Sequence, residues 1–320
     1  MRVGSGDFLY DVIHDWGRLP AGWSFGSVPT GACDSQGRVY VYARGEHPVL
    51  VFDPDGNFLG SWGEGLFSNP HGLLITPEDI AYCTDDTDHT VRKCTLDGKV
   101  LMTLGEKGKP SDTGYDGSDW YTIKRGAGPF NRPTNVALSP TGEIYVSDGY
   151  GNARIHKFTP DGKLLFSWGE PGNAPGQFVV VHSVRTDAKG TVFIADRENS
   201  RIQLFTPEGN FITQWTNMQK PQGFFMGPDG FLYTTEKPVK RPDGKAPGWL
   251  PPRVSIWTTD GRLLARWGGE DLTKPGNFFA PHGIWGDASG DLYIGELCVD
   301  RLRGKIPDSY PLVHKLVRVR

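Results

Sequence analysis

Several features that would place a chain in a specialised class are missing here. The 320 residues include only four cysteines, Cys33, Cys83, Cys94 and Cys298, too few for a disulfide scaffold. Of these, Cys83 and Cys94 flank one hairpin and are the only pair placed to bridge, although a cytosolic setting favours free thiols. No apolar run is long enough to span a bilayer, and residues 1–20 lack the apolar centre of a leader, so a soluble cytoplasmic protein with no membrane partner is expected. With 34 Lys and Arg against 37 Asp and Glu, the net charge is -3, and no block of one sign stands out. That balance gives nucleic acid, or any other polyanion, nothing general to hold.

What the chain has in quantity is turn chemistry, with 43 glycines and 25 prolines. Aligned against itself, it repeats a unit six times, opening at Pro29-Thr30-Gly31, Pro70-His71-Gly72, Pro133-Thr134-Asn135, Val181-His182-Ser183, Pro221-Gln222-Gly223 and Pro281-His282-Gly283. Each opening leads through an apolar stretch and a turn into a β-rich run such as Ile144-Tyr145-Val146. A further run and a tight turn such as Pro160-Asp161-Gly162 follow, then a last run ending in Trp-Gly, as at Trp168-Gly169. Four strands per unit joined by Gly-rich hairpins predict an all-β fold, a six-bladed β-propeller over residues 1–320 as a single domain. Unit six has only three recognisable strands, and residues 8–17 read as a last strand with the same Trp-Gly ending. They are expected to complete the blade formed by 280–320 and so remove an exposed edge.

The centre positions of the openings, in order, are Thr30, His71, Thr134, His182, Gln222 and His282. Histidine therefore occupies alternate units. Unrelated core histidines would be the ordinary explanation of any one of them. With 8 histidines in the chain, though, chance fills three of six such positions about once in three thousand trials. If the openings start the innermost strands, the three imidazoles meet at one end of the channel, an arrangement suited to zinc with an open position.

Extra segments at Lys107 to Asn131, Lys237 to Pro252 and Val299 to Tyr310 should emerge at that same end. Their Tyr115, Trp120, Tyr121, Lys240, Arg241, Trp249, Arg301, Arg303 and Tyr310 either wall a pocket or pack the loops down. The residues just after each second strand, including Arg44, Asp86, Tyr150 and Arg197, collect there too. Two cations and a phenol beside a metal can bind a carboxylate and move a proton. The recurring acids Asp85, Asp148, Asp196, Glu236 and Glu296 read as structural, accepting loop N–H groups or pairing with arginines such as Arg154 and Arg201.

The repeats resemble NHL repeats, and nearly the whole chain resembles the lyase domain of the peptidyl-α-hydroxyglycine α-amidating lyases. The residues that carry this are Asn69 to Leu73, Arg132 to Ala137, Tyr145 to Ile155, Ala195 to Gln203 and Pro281-His282-Gly283. The resemblance implies zinc ligands at His71, His182 and His282, a catalytic tyrosine at Tyr150 and active-site arginines at Arg44 and Arg197. It departs at Gly283, where the family has an aspartate that binds a structural calcium, at Ala280 in place of a methionine, and at Gly151 in place of a cysteine. Support for calcium goes with the aspartate.

The expected function is a zinc-dependent lyase that breaks the C–N bond of an N-(α-hydroxyalkyl) amide or amine, an α-hydroxyglycine-type carboxylate being the substrate. Two alternatives stay open: a metal-dependent hydrolase or hydratase in the same channel, and a non-catalytic NHL propeller that presents a binding face.

Overall fold

The computed structural model describes residues 1–240, 248–297 and 310–320. It is all-β, six four-stranded blades in a propeller arrangement, with one helical turn, Trp120–Thr122, among the described residues. No helix among them is long and apolar enough to cross a membrane.

The chain divides into two compact units. Gly65–Pro221 holds blades two, three and four, whose inner strands are Pro70–Ile75, Pro133–Leu138 and Val181–Thr186. Its apolar side chains meet between blades: Tyr82, Phe130, Val136 and Ile144 join two to three, and Tyr145, Val184, Ile194 and Phe205 join three to four. In the other unit, Met1–Glu64 with Gln222–Arg320, Tyr233, Ile256, Ile284 and Ile294 join five to six, and Val41, Trp285 and Tyr293 join six to one. Strand alternation gives each blade two apolar faces, and a large side chain buried between them contributes about 1.5–3 kcal/mol.

The outer hairpins follow the turn residues. Gly162 takes φ 90° and donates its N–H to the Thr159 carbonyl at 2.9 Å; Gly209 takes φ 81° and donates to Thr206 at 2.9 Å. A side chain would be strained in that left-handed conformation, which is why glycine sits there. In blade six, Phe8–Ile13 pairs antiparallel with Val313–Arg318, and Arg2–Ser5 adds a fifth strand outside it.

Cys83 and Cys94 are buried free thiols. They do not face each other across the ladder: Cys83 lies opposite Arg92, and Cys94 lies opposite Ala81. Cys298, Arg241, Arg301 and Arg303 fall outside the described residues.

Candidate metal centre

The three histidines sit at a backbone irregularity. Pairing of inner with second strand shifts between Pro70 and Leu73, Pro133 and Asn135, Val181 and Ser183, and Pro281 and Gly283, so the register skips His71, Thr134, His182 and His282. An extra residue in a strand turns its side chain out of the ordinary alternation. The glycine after two of the histidines permits close blade contact. A Cβ on Gly72 would lie 2.6 Å from the Thr134 carbonyl oxygen, and one on Gly283 would lie 2.4 Å from that of Pro29. An aspartate therefore does not fit at position 283 on this backbone.

His71, His182 and His282 are each 2 % exposed, and the rings of His71 and His182 lie 5.0 Å apart, centre to centre. Tautomers follow from the partners. His71 donates Nδ1–H to the Thr134 carbonyl at 2.6 Å, and His282 donates Nδ1–H to the Pro29 carbonyl at 2.7 Å. In a neutral ring this leaves Nε2 as the lone-pair nitrogen. Imidazoles oriented by a backbone carbonyl on one nitrogen, with the other left to donate, fit a metal site of three neutral ligands.

Tyr150 and Arg197 are fixed to these strand starts through the backbone. The Tyr150 N–H donates to the Arg132 carbonyl at 3.3 Å, and the Arg197 N–H donates to the Val180 carbonyl at 3.0 Å. Each acceptor belongs to the residue just before an opening. The recurring acids fix the approach to it: Asp148 accepts the Asn131 N–H at 2.9 Å, Asp196 the Val179 N–H at 2.8 Å, and Glu296 the Ala280 N–H at 2.5 Å. Asp196 also meets Arg201 at 2.7 Å. Arg154, by contrast, pairs with Glu170 at 2.8 Å, because His156 at 3.2 Å already fills the place beside Asp148.

The Tyr150 hydroxyl lies 3.0 Å from Nε2 of His71 and 3.0 Å from Nε2 of His182, with Arg197 Nη1 at 3.4 Å. One hydroxyl proton can serve only one of two accepting nitrogens. Arg197 is 3 % exposed, and its Nε meets Glu198 at 2.8 Å. Burial alone would raise the Glu198 carboxyl, but the charges of Arg197 and Lys220 outweigh it and hold the pKa below its ordinary value. Arg44 lies in the unit of residues 1–64 and 222–320; it is half-buried, with its N–H on the Ser27 carbonyl at 2.7 Å.

The long segment before blade three divides its aromatics. The Trp120 ring stacks under Arg197 at 5.0 Å and the Tyr115 hydroxyl reaches Arg132 at 3.4 Å, whereas Tyr121 is exposed. The Tyr310 hydroxyl donates to Glu296 at 2.7 Å. Sequence reasoning did not single out Arg132 or Glu198 at this site. Arg132 stands beside an opening instead of after a second strand, and its guanidinium lies 5.5 Å from the Tyr150 ring centre. Burial works against its charge, yet Asp86 and Tyr115 raise the pKa further.

An NHL repeat family model matches residues 130–158. NHL repeat-containing protein 3 of Mus musculus is 36% identical over 200 residues, 57% of this chain and 54% of the relative. A probable peptidyl-alpha-hydroxyglycine alpha-amidating lyase of Caenorhabditis elegans is 35% identical over 155 residues, 47% of this chain and 41% of the relative. The chain thus spans about half the length, or less, of these curated relatives. Among solved structures, a gluconolactonase from Xanthomonas campestris superimposes with TM-score 0.63 at 13% identity, over 98% of this chain and 90% of that one, which is a likeness of fold. Repeat match, relatives and blades agree: the chain is a six-bladed NHL-repeat propeller that resembles the amidating lyases.

Proposed function

We propose that the chain is a zinc-dependent carbon-nitrogen lyase acting on an N-(α-hydroxyalkyl) amide or amine, with an α-hydroxyglycine-type carboxylate as substrate. His71, His182 and His282 would hold the zinc. The observation that carries this reading is the Tyr150 hydroxyl, 3.0 Å from two nitrogens of the three-histidine group and 3.4 Å from Arg197. Relatives named as amidating lyases support it.

Bound zinc supplies Lewis-acid charge to the alcohol oxygen as its proton leaves. Tyr150, as phenolate, takes the hydroxyl proton. The O–H electron pair closes a C=O bond, the C–N bond breaks with its pair going to nitrogen, and that nitrogen takes the proton back from Tyr150. An acylated substrate yields an amide and glyoxylate, with atoms balanced and no oxidant needed. Arg44 grips the carboxylate and Arg197 holds the phenolate by charge. Burial of the histidines at 2 % exposure limits competition from water for these groups.

The test is elemental analysis of protein purified without added metal, followed by an assay of N-acyl-α-hydroxyglycine with glyoxylate as the readout. One zinc per chain with glyoxylate release above the spontaneous rate is expected. Stoichiometric metal without acceleration would move the reading to a hydrolase, and protein that neither copurifies with nor takes up metal would move it to a binding propeller.

A further inference from the structure

Two guanidinium groups flank the ring of Tyr150, Arg197 at 5.3 Å from its centre and Arg132 at 5.5 Å. Their surroundings differ. Arg197 is stacked between the rings of Tyr150 and Trp120, and its Nε meets Glu198 at 2.8 Å, so its side chain is almost wholly enclosed. The Arg132 side chain is 31% exposed. Asp86 stands 3.6 Å away, too far for a hydrogen bond, and the Tyr115 hydroxyl at 3.4 Å is a long partner. The Oδ1 of Asp86 is occupied by Asn69 at 2.7 Å and Thr87 at 2.9 Å.

The Arg132 backbone is held as firmly as its head is loose. Its φ of 64° is left-handed, which costs a non-glycine residue about 1 kcal/mol or more and persists only where surroundings impose it. The surroundings are on either side: its N–H donates to His89 Nδ1 at 3.0 Å, and its carbonyl accepts the Tyr150 N–H at 3.3 Å. A forked cation anchored to the backbone of the phenol, partly open to solvent and only distantly paired, is suited to take a carboxylate in a bidentate grip.

We infer that Arg132 is a specificity-determining residue that shares the substrate carboxylate with Arg44, binding it beside Tyr150, an inference that rests on the lyase reading of this site. Arg197, enclosed between two rings, then holds the phenol, and Arg132 reads the charge of what approaches it. Acidic carbinolamides are favoured over their neutral amides for this reason.

The experiment uses the zinc-loaded full chain and its Arg132→Gln and Arg132→Lys variants, with metal content and thermal unfolding measured for each. Substrates are N-acetyl-α-hydroxyglycine and its primary amide, and calorimetry measures binding of N-acetylglycine, which lacks the hydroxyl. The expected result for Arg132→Gln is a KM for the acid raised about tenfold more than that for the amide, with the Kd of N-acetylglycine raised in parallel and Arg132→Lys recovering part of both. A fall in kcat equal for the two substrates would mean that Arg132 only positions Tyr150, and would overturn the inference, as would an unchanged acid-to-amide ratio. If the wild type turns over neither substrate, the lyase reading has failed. N-acetylglycine then decides on Arg132 alone: binding weakened by Arg132→Gln keeps the anion site, and unweakened or undetectable binding removes it.

Discussion

Blades two and six differ from blades three and five at one position. His71 and His282 pass an Nδ1–H to a carbonyl at the next blade's opening, Thr134 and Pro29. Thr134 and Gln222 do the same with other chemistry: Thr134 Oγ1 donates to the Val181 carbonyl at 2.7 Å, and Gln222 Nε2 donates to that of Pro281 at 3.0 Å. All four side chains therefore stitch one inner strand to the next, and any residue with a suitable donor could serve. Histidine alone adds a second nitrogen once the stitch is made. Blade cohesion and metal binding thus share one position, and only the second function demands imidazole.

The largest break in this comparison is His182→Ala, which should abolish stoichiometric metal by elemental analysis, since two imidazoles leave an incomplete ligand set. Full metal content in that variant would sink the three-histidine assignment. Next is Tyr150→Phe, which keeps all three rings and should leave metal bound while lowering glyoxylate release about 10²- to 10⁴-fold. Activity within threefold of wild type would exclude Tyr150 as the proton acceptor. Thr134→Val addresses the other class of opening. It removes buried bonds to Val181 and Ser147 and should cost about 1–3 kcal/mol in urea unfolding without changing metal content. Gln222→Leu should cost less, about 1 kcal/mol, again with metal intact; loss of metal in either variant would undo the division of roles.

Much of this was legible in the sequence because repetition aligned it. Six openings in register identified the inner strands, and the alternating histidines stood out against the rarity of the residue. Other features depended on through-space geometry. The register shift that skips His71, Thr134, His182 and His282 leaves no mark in composition, and neither does the left-handed Arg132. Arg154 was assigned to its blade's acid by analogy with Arg201, but His156 two positions along the strand is the nearer partner of Asp148. Cys83 and Cys94 do lie close, with a hydrogen bond between their thiols, but as diagonal neighbours on one face of the ladder, because the register sets each against a different residue. Arg132 was passed over because the repeat pattern directs attention to positions after second strands, while its guanidinium reaches Tyr150 from the strand before.

The antiparallel pairing of Phe8–Ile13 with Val313–Arg318 bears on the order of events during synthesis. The Arg318 side chain bonds the Tyr10 hydroxyl across 308 positions of sequence, so this ladder must wait until Arg318 has left the ribosome. Gly65–Pro221 is contiguous and needs no such delay. Nascent chains therefore have access to blades two to four, with Tyr150 between His71 and His182, well before Val313–Arg318 exists to receive Phe8–Ile13. Loop closure over so long a span is slow to find, and the late step in refolding should be the one that protects the amides of residues 8 to 13 from exchange.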